Sequence, residues 1–395
     1  MPLGQWGDLI NTLLNQVTHA QTALLKQMTL QAIGFVCETL DPHVLSSQSN
    51  AILNAVAQGV SKEEEYVLRS NSRIGVRLAA IQALQNSLEF IRENFEREAE
   101  RNYIMQIVCE ATQMENTDIQ VSAYECLCKI MSLFYDKMDF YMSKALYGIT
   151  IMGMRHESDR VVLQAVEFWS TVCEIEYDIL LEQQEAAEIH EPCNRVYHQF
   201  ALKATKDLCP PLLWLLSVKE DEEDEDEWNV SMAAATCLNS LATCVADTIV
   251  PQVLPFIEGN IRQDDWRKRD AAVMAFGSIL DGPQPTSLQP LVASALPLLI
   301  QLTRDPSIHV RDSAAWTLGR ICELLSSYLT QDQLHSLIVA ILPGLGETPR
   351  VASNCAWCFI NLAEQLAAED HEQTTNALSG YFEHIMQALN TAGEQ

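Results

Sequence analysis

Apolar residues three and four positions apart run through nearly the whole chain, and no strand-like alternation recurs. A smaller motif repeats within this pattern: an apolar residue, a small residue four positions later and a large apolar residue four further. These three positions share one helix face, and the small residue lets a neighbouring helix approach closely. The motif occurs at Leu25/Thr29/Ile33, Val76/Ala80/Leu84, Ile119/Ala123/Leu127, Val161/Ala165/Trp169, Val230/Ala234/Leu238, Lys268/Ala272/Phe276, Val310/Ala314/Leu318 and Val351/Cys355/Phe359. Lys268 is the one first position that is not apolar. The pattern therefore predicts one helical unit used many times.

The spacing of the motif identifies the class of repeat. Successive copies begin 51, 43, 42, 69, 38, 42 and 41 residues apart, so five of the seven intervals lie near forty and two contain insertions. A period near forty with paired helices is typical of HEAT repeats. Because two helices with one apolar face each cannot bury both faces alone, neighbouring pairs must stack. The predicted fold is all-α: a HEAT-repeat, right-handed superhelical solenoid of antiparallel helix pairs.

The repeats divide the chain into a predicted single array over residues 1–395. Its approximate repeats are 3–40, 43–94, 95–135, 137–190, 195–246, 247–282, 287–325 and 329–367, followed by a partial repeat over 370–395. The chain opens with a full apolar helix and closes on a lone first helix, which predicts a segment cut from a longer array. Of the two insertions, 61–73 is expected to be an exposed loop. The other contains a long helical extension and, further along the chain, the acidic run 220–227. The acidic run is predicted to lie in the turn between the two helices of one repeat.

Composition narrows the class of partner. The formal net charge is −28, from 53 acidic and 25 basic residues. A nucleic-acid-binding surface needs an excess of Lys and Arg, and an anionic membrane surface attracts basic residues, so we expect neither partner. This charge instead suits a basic protein or peptide that is attracted over a distance.

The sequence contains none of the usual targeting, membrane-spanning or catalytic signals. The chain shows no N-terminal signal and no apolar run that we expect to cross a bilayer, which favours the cytosol or nucleus. The twelve cysteines are then best interpreted as small apolar core residues. The stretch HEPCNRVYH has only loose metal-ligand spacing, and CAWC lies within a helical pattern without a second pair. We expect no metal, no cofactor and no catalytic site.

Several long stretches resemble the importin beta family of nuclear transport receptors. They are WNVSMAAATCLNSLATCVADTIVPQVLPFIEGNIRQDDWRKRDAAVMAFGSILDGPQP, ALQNSLEFIRENFEREAERNYIMQIVCEAT and RVASNCAWCF, and the resemblance covers essentially the entire chain. It implies an internal fragment of the N-terminal half of such a receptor, and a binding protein that is not an enzyme. The implied partners are basic cargo or the importin-beta-binding segment of importin alpha, phenylalanine-glycine nucleoporins, and Ran-GTP, which releases cargo. The implied location is the cytoplasm and nucleus, including the nuclear pore and envelope.

Three tryptophans on or just before second helices are candidates for gripping a basic ligand: Trp228, Trp316 and Trp357. Indole faces attract Arg and Lys. Trp316 and Trp357 lie two residues before Leu318 and Phe359, about 200° around the helix, so we expect them to point away from the packing face. Burial in the core is the competing interpretation. In the family, these positions match tryptophans that contact the basic helix of the adaptor.

Acidic residues supply the other half of a basic-ligand site. Glu167 and Glu174 lie seven residues apart on one predicted helix face, and by resemblance they match positions that pair with adaptor arginines. A solvated polar stripe is the alternative. Asp270 and Asp312 each follow an arginine at equivalent repeat positions, and we interpret them as a structural ladder between repeats that satisfies helix starts. The acidic run consists of Glu220, Asp221, Glu222, Glu223, Asp224, Glu225, Asp226 and Glu227.

The resemblance also implies a nucleoporin pocket on the outer surface, between neighbouring first helices. The matching residues are Leu53, Asn54, Val56, Ala57, Glu100, Tyr103 and Ile104. Asn54 and Ala57 replace bulkier or more apolar residues, and buried packing is the competing interpretation for Ile104. For Ran, the acidic run is the only complete contact region expected here, so the resemblance implies weak or absent binding by this chain alone.

Two other functions fit parts of the sequence. A different HEAT-type scaffold, such as a phosphatase subunit, would share the repeat, although the long acidic run that ends at Trp228 argues against it. A chaperone for basic proteins such as histones or ribosomal proteins would share the charge. Binding to the N-terminal segment of importin alpha distinguishes the transport function from the scaffold.

Overall fold

The computed structural model describes residues 8–41, 45–60, 70–218, 228–369 and 378–393. All regular elements in these ranges are helical. The chain divides into two compact units: the first combines residues 1–175 with 193–198, and the second combines 176–192 with 199–395. Most of the predicted repeats coincide with one helix pair among the described residues, but 137–190 contains three helices, two of them short, and 43–94 also includes the start of a third. The acidic run lies outside the described residues.

The first unit contains α1 to α9 and the beginning of α10. These helices are α1 (Leu9–His19), α2 (Ala23–Thr39), α3 (Ser49–Val60), α4 (Ser70–Ser87), α5 (Arg92–Glu96), α6 (Glu98–Ala111), α7 (Thr117–Phe134), α8 (Asp139–Tyr141), α9 (Tyr147–Gly153) and α10 (Asp159–Glu188). A π-helical turn over Met142–Leu146 joins α8 to α9. The second helices α2, α4 and α7 pack successively against one another, while α3 and α6 pack on α4 and α7 respectively.

In its described residues, the second unit contains the end of α10 and nine further helices. They are α11 (Phe200–Leu215), α12 (Val230–Val245), α13 (Val250–Asn260), α14 (Trp266–Ser278), α15 (Pro285–Leu302), α16 (Ile308–Leu325), α17 (Gln331–Ile341), α18 (Pro349–Glu369) and α19 (Phe382–Gly393). The second helices α12, α14, α16 and α18 form a continuous stack. The first helices α11 and α13 contact each other, as do α15 and α17.

The repeated motif forms the core of these stacks, as predicted. Its middle and final positions are buried in all eight copies. Two first positions differ: Leu25 is 40% exposed because it lies in the first turn of α2, and Lys268 projects to solvent from α14. Nine of the twelve cysteines are buried. Burial alone raises the pKa of the Cys37 thiol to about 12, which keeps it protonated and apolar.

Local signals place several helix ends correctly. Asp265 caps α14 by accepting a hydrogen bond from the backbone N–H of Arg267 at 3.0 Å, and Pro251 occupies the first turn of α13. The predicted extension after the fourth repeat is confirmed, since α10 has 30 residues. The predicted loop 61–73 is too long at its end, because α4 already begins at Ser70; residues 61–69 lie outside the described part.

The extension of α10 also fixes the start of the next first helix. The buried carboxylate of Glu176 accepts hydrogen bonds from the backbone N–H groups of Phe200 at 2.6 Å and Ala201 at 3.0 Å. Those donors have no partner within α11, and the N-terminal end of a helix favours a negative charge. Glu176 therefore acts as a cap supplied by the preceding repeat.

One segment of the described chain, Val230–Asn260, combines the length of a membrane span with a mean hydropathy of 1.4. The sequence led us to expect no such run. In the structure, the segment is two helices, α12 and α13, separated by a turn at Ala246, whose φ is +48°. Most of α12 is buried against α11 and α14, so its apolar character is accounted for by the core.

Candidate functional site

A pocket of about 280 Å³ opens between the first helices α3 and α6. Its lining residues are Asn50, Leu53, Asn54, Val56, Leu84, Asn94, Glu100, Tyr103, Ile104 and Ile107. The α6 residues are spaced three and four apart, which places them on one helix face. The sequence therefore forms one wall of the pocket from each first helix, and α4 contributes Leu84 behind them.

The apolar part of the pocket combines buried and accessible side chains. Val56 and Ile104 are almost fully buried, as is Leu84, so the interior is fixed by packing. The ring of Tyr103 is different, because 52% of that residue is exposed at the pocket. A phenyl-sized apolar group could therefore bury surface against a preformed interior and a movable aromatic edge.

The polar part of the pocket is organised by Asn94, on the short helix α5. Its side-chain NH2 donates to Asn50 Oδ1 at 2.5 Å and to Glu100 Oε2 at 2.6 Å. The hydrogen bond from Arg97 and, to a smaller extent, the one from Asn94 hold the pKa of the Glu100 carboxyl below its ordinary value. The Oδ1 atom of Asn94 is buried and accepts no hydrogen bond in the described structure. The pocket thus offers an unused acceptor beside an ionised carboxylate.

The structure brings together six of the seven residues assigned to this pocket by resemblance. Ala57 is the exception, since it is buried on α3 and does not line the cavity. Four lining residues were missed: Asn50, Leu84, Asn94 and Ile107. Ile107 continues the α6 spacing from Ile104 and could have been found from it. No periodic signal marks Asn94, because its position depends on how the chain turns between α4 and α6.

The tryptophans Trp316 and Trp357 lie on contacting second helices, α16 and α18, but they do not project freely. Both are partly buried. The ring of Trp316 lies against Gly277 of α14, and the ring of Trp357 lies against Gly319 of α16. The expected orientation opposite the packing face is thus only partly right, because a glycine in the preceding helix leaves room for the edge of each indole.

Trp228 lies elsewhere on the second-helix stack. It is 60% exposed and immediately precedes Asn229, whose side chain caps α12 by accepting from the N–H of Met232 at 3.0 Å. Two steps along the stack separate α12 from α16. Glu167 and Glu174 are exposed on α10 within the first unit, whereas all three tryptophans belong to the second unit.

The predicted ladder of Asp270 and Asp312 joins neighbouring second helices. The buried Asp270 carboxylate accepts from Ser313 Oγ at 2.6 Å, and Asp312 accepts from Asn354 Nδ2 at 2.8 Å. Both hydrogen bonds join side chains of two neighbouring helices, and neither goes to a backbone N–H at a helix start. The prediction that these aspartates satisfy helix starts therefore needs correction. The preceding arginines contact the turns: Arg269 donates to the carbonyl oxygens of Gln263 and Asp264 at 2.8 Å.

Stacked pairs, in which first helices contact first helices and second helices contact second helices, are typical of helical-repeat proteins such as the HEAT class. The family model for HEAT-like repeats matches residues 266–321, and the model for importin subunit beta-1-like TPR repeats matches 336–395. Importin subunit beta-1 of Schizosaccharomyces pombe is 50% identical over 386 residues, covering 98% of this chain and 44% of that protein. The chain belongs to the importin beta family and spans less than half the length of this relative.

Solved structures agree with this assignment. The complex of Kap95 with Nup1 matches with a TM-score of 0.89 and 42% identity, over 100% of this chain and 44% of that one. A structure in which Kap95p binding induces the switch loops of RanGDP to adopt the GTP-bound conformation matches with a TM-score of 0.88 and 41% identity, over the same shares. The predicted HEAT-repeat fold class and family are therefore confirmed.

Proposed function

We propose that this chain forms part of a nuclear import receptor. In this role it binds phenylalanine-glycine nucleoporins in the pocket between α3 and α6, and a basic cargo or adaptor segment on its second helices. The observation that carries the proposal is the pocket itself, since residues matched one by one through the family resemblance meet in one cavity. The complex of the similar Kap95 with Nup1 supports a nucleoporin partner. The proposed role is binding and not catalysis.

The pocket suits the phenylalanine of such a repeat for two reasons. Its buried interior presents Val56 and Ile104 to an apolar ring, and Tyr103 can pack against that ring from the open side. Asn94 Oδ1 is a buried acceptor without a hydrogen bond in the described structure. A backbone N–H of the bound peptide can donate to it, which removes the cost of leaving it unsatisfied. The contact area is small, so each contact should be weak and several repeats should act together.

The test is to fill the pocket without disturbing the core. Asn54 is exposed and lines the cavity, whereas Gln58 is exposed on the same helix and does not line it. Asn54→Trp should abolish binding of a phenylalanine-glycine peptide measured by NMR titration, and Gln58→Trp should leave binding unchanged. Equal binding by both variants would contradict the pocket assignment.

The second helices support the proposed basic ligand. Trp316 and Trp357 form a row on adjacent helices, partly exposed and held by their glycine contacts. Glu167 and Glu174 are exposed carboxylates on α10, and the chain carries a net charge of −28. Cation–π contacts and charge-assisted hydrogen bonds would then fix a ligand that long-range attraction gathers. Importin alpha, through its basic importin-beta-binding segment, is the proposed adaptor.

A basic importin alpha peptide tests this part separately. We expect binding measured by calorimetry to weaken as salt rises from about 0.05 to about 0.3 M, because screening shortens the reach of the charge. Salt-insensitive binding would contradict the electrostatic account, and no binding at either concentration would remove importin alpha as a partner.

Ran and cellular location complete the proposal. The similar Kap95p acts on the switch loops of RanGDP, which supports Ran as a partner of this receptor class. The acidic run 220–227 is its proposed contact here, and we propose that this chain alone binds Ran-GTP weakly. A nanomolar complex in a titration would overturn that estimate. Shuttling between cytoplasm and nucleus through the pore is the corresponding location, testable with a fluorescent fusion of the chain.

A further inference from the structure

Arg320 makes contacts that span three successive repeats of the second unit. From α16, its Nη2 atom donates to Asn239 Oδ1 on α12 at 3.2 Å and to Asp281 Oδ2, just after α14, at 3.3 Å. Its Nη1 atom donates to Glu323 Oε2 on its own helix at 2.9 Å. The Arg320 side chain is only 14% exposed, whereas its acidic partners Asp281 and Glu323 are 43% and 38% exposed.

A contact of this range is unusual for stacked repeats. Each repeat in such an array normally contacts only its immediate neighbours. Adjacent packed helices have axes about 8–10 Å apart, so helices two places apart lie roughly 16–20 Å apart if the middle helix is complete. Arg320 and Asn239 are 81 positions apart in the sequence, which is two repeats.

The short length of α14 makes the contact possible. Measured from the last position of the repeated motif, α12 continues seven residues past Leu238 and α16 continues seven past Leu318. In contrast, α14 ends two residues past Phe276, at Ser278. More than one helical turn is therefore absent from the middle helix. The Arg320 side chain reaches α12 through this opening, beside the turn that carries Asp281.

A related ion pair in the first unit shows the ordinary form of this contact. Lys129 lies two residues past the motif in α7, as Arg320 does in α16, and Glu89 lies five past the motif in its repeat, as Asp281 does. Lys129 Nζ is 3.0 Å from Glu89 Oε1, one repeat away. The lysine has a single point charge, whereas the forked guanidinium of arginine can hold several acceptors at once. Only the second case extends over three repeats.

We infer that Arg320 is a brace that couples α12, α14 and α16, so that this part of the array changes curvature as one block. Without the brace, the α12–α14 and α14–α16 interfaces would flex independently, as nearest-neighbour stacking allows. The contact with Asn239 is the decisive arm, because it alone crosses the middle helix. Arg320 in this role is a positioning residue, and the inference does not depend on the proposed partners.

The distance between α12 and α16 tests the brace directly. Spin labels would be introduced as non-canonical amino acids at the exposed Thr236 of α12 and at the exposed Ser327, in the turn that directly follows α16, because the chain contains native cysteines. We expect Arg320→Gln to raise the population of arrangements outside the wild-type distance distribution roughly five-fold, from the loss of a charge-assisted hydrogen-bond set. The midpoint of thermal unfolding is recorded in parallel.

Matched variants separate the brace from general loss of stability. Asn239→Leu should broaden the distribution as much as Arg320→Gln, and the double variant should add nothing, because both variants remove the same decisive arm between Arg320 and Asn239. Glu323→Gln should leave the width unchanged, since it neutralises only the partner within α16 and leaves the arm to Asn239 intact. Arg311→Gln is the charge control, because Arg311 pairs with Glu347 of the neighbouring repeat at 3.4 Å.

Arg320→Lys is the substitute variant if Arg320→Gln unfolds the chain. It retains the charge, and it should give a distance distribution of intermediate width. Wild-type distributions in both Arg320→Gln and Asn239→Leu would overturn the inference. Equal broadening by Glu323→Gln or Arg311→Gln would also overturn it, because the effect would then not depend on the arm that crosses α14.

Discussion

The pocket of the first unit and the tryptophan row of the second unit are built in different ways. The pocket is a cleft open to solvent at Tyr103, and its interior residues, such as Val56 and Ile104, also belong to the core. The row is a surface feature made by repetition, in which Trp316 and Trp357 occupy the same position on adjacent helices. One site depends on how two helices meet, and the other depends on how many repeats carry the same residue.

This difference teaches how each site should respond to change. A pocket recognises shape, so one substitution that occupies the space should remove binding entirely. A row recognises a series of charges, so its contributions should accumulate and should depend on salt. Variants that affect one site and leave the other intact therefore test whether the two are independent.

The largest effect is expected when both tryptophans of the row are removed. Each cation–π contact contributes about 0.5–2 kcal/mol, so Trp316→Ala/Trp357→Ala should weaken binding of a basic peptide by roughly five-fold to nearly a thousand-fold in calorimetry. Binding of a phenylalanine-glycine peptide should remain at the wild-type level. Trp214→Ala is the matched control, since it removes a 54% exposed indole from the first helix α11. Unchanged peptide affinity in the double variant would remove the row from the proposed site.

The next largest effect is expected for a substitution at Gly319, which lies against the ring of Trp357. A methyl group at Gly319 would collide with the ring of Trp357, whereas one at Gly259 would meet no atom within 4 Å. Gly319→Ala should reduce the free energy of unfolding by about 1–3 kcal/mol and displace the indole, which weakens the basic peptide. Gly259→Ala should be neutral or stabilising in the same denaturation experiment. Similar stability of both variants would show that the indole does not need the glycine.

A smaller effect should follow from reversing the charge on α10. Glu167→Lys/Glu174→Lys should reduce the association rate of the basic peptide several-fold at low salt, because exposed charges act mainly on encounter. The difference from wild type should shrink at high salt in stopped-flow measurements, while the phenylalanine-glycine peptide is unaffected. A salt-independent loss would instead indicate that the substitutions disturb packing.

The smallest effect is expected for the pH dependence of the pocket. Because the pKa of Glu100 is lowered by Arg97 and Asn94, its contribution to stability is present above the pKa of the unfolded chain. That contribution is lost only as the pH falls through the lower pKa of the folded state. Binding of the phenylalanine-glycine peptide should thus be constant between about pH 8 and pH 6, well above the ordinary glutamate pKa. An NMR titration that gives the Glu100 carboxyl a pKa above the ordinary glutamate value would contradict this prediction.

The sequence predicted the features that repetition determines. The motif marks the buried positions of the second helices because its spacing matches one helix face. It was wrong at Leu25, where the first turn of α2 leaves the side chain exposed. The resemblance identified most of the pocket, although the spacing alone could not have distinguished Ile104 as a pocket residue from Ile104 as an ordinary core residue.

Features that depend on chain turns could not be predicted. Asn94 reaches the pocket because α5 lies between two longer helices, and nothing in its neighbours along the chain signals that position. Arg320 was also not recognised, since its reach depends on the early end of α14. The partial burial of Trp316 was also missed, because the glycine that its ring contacts, Gly277, lies 39 residues earlier in the sequence.

The contacts between glycines and indoles also bear on the spacing of basic residues in the proposed basic ligand. Gly319 lies three residues after Trp316, so one helix carries both an indole and the resting place of the next indole. On α18 the corresponding position after Trp357 is Ile360, a 54% exposed side chain that leaves no such place. Two indoles one helix spacing apart, about 8–10 Å, correspond to roughly six residues of a bound helix, at 1.5 Å per residue. A helical ligand with basic residues at that interval would meet both rings at once, and one with a different interval would meet only one.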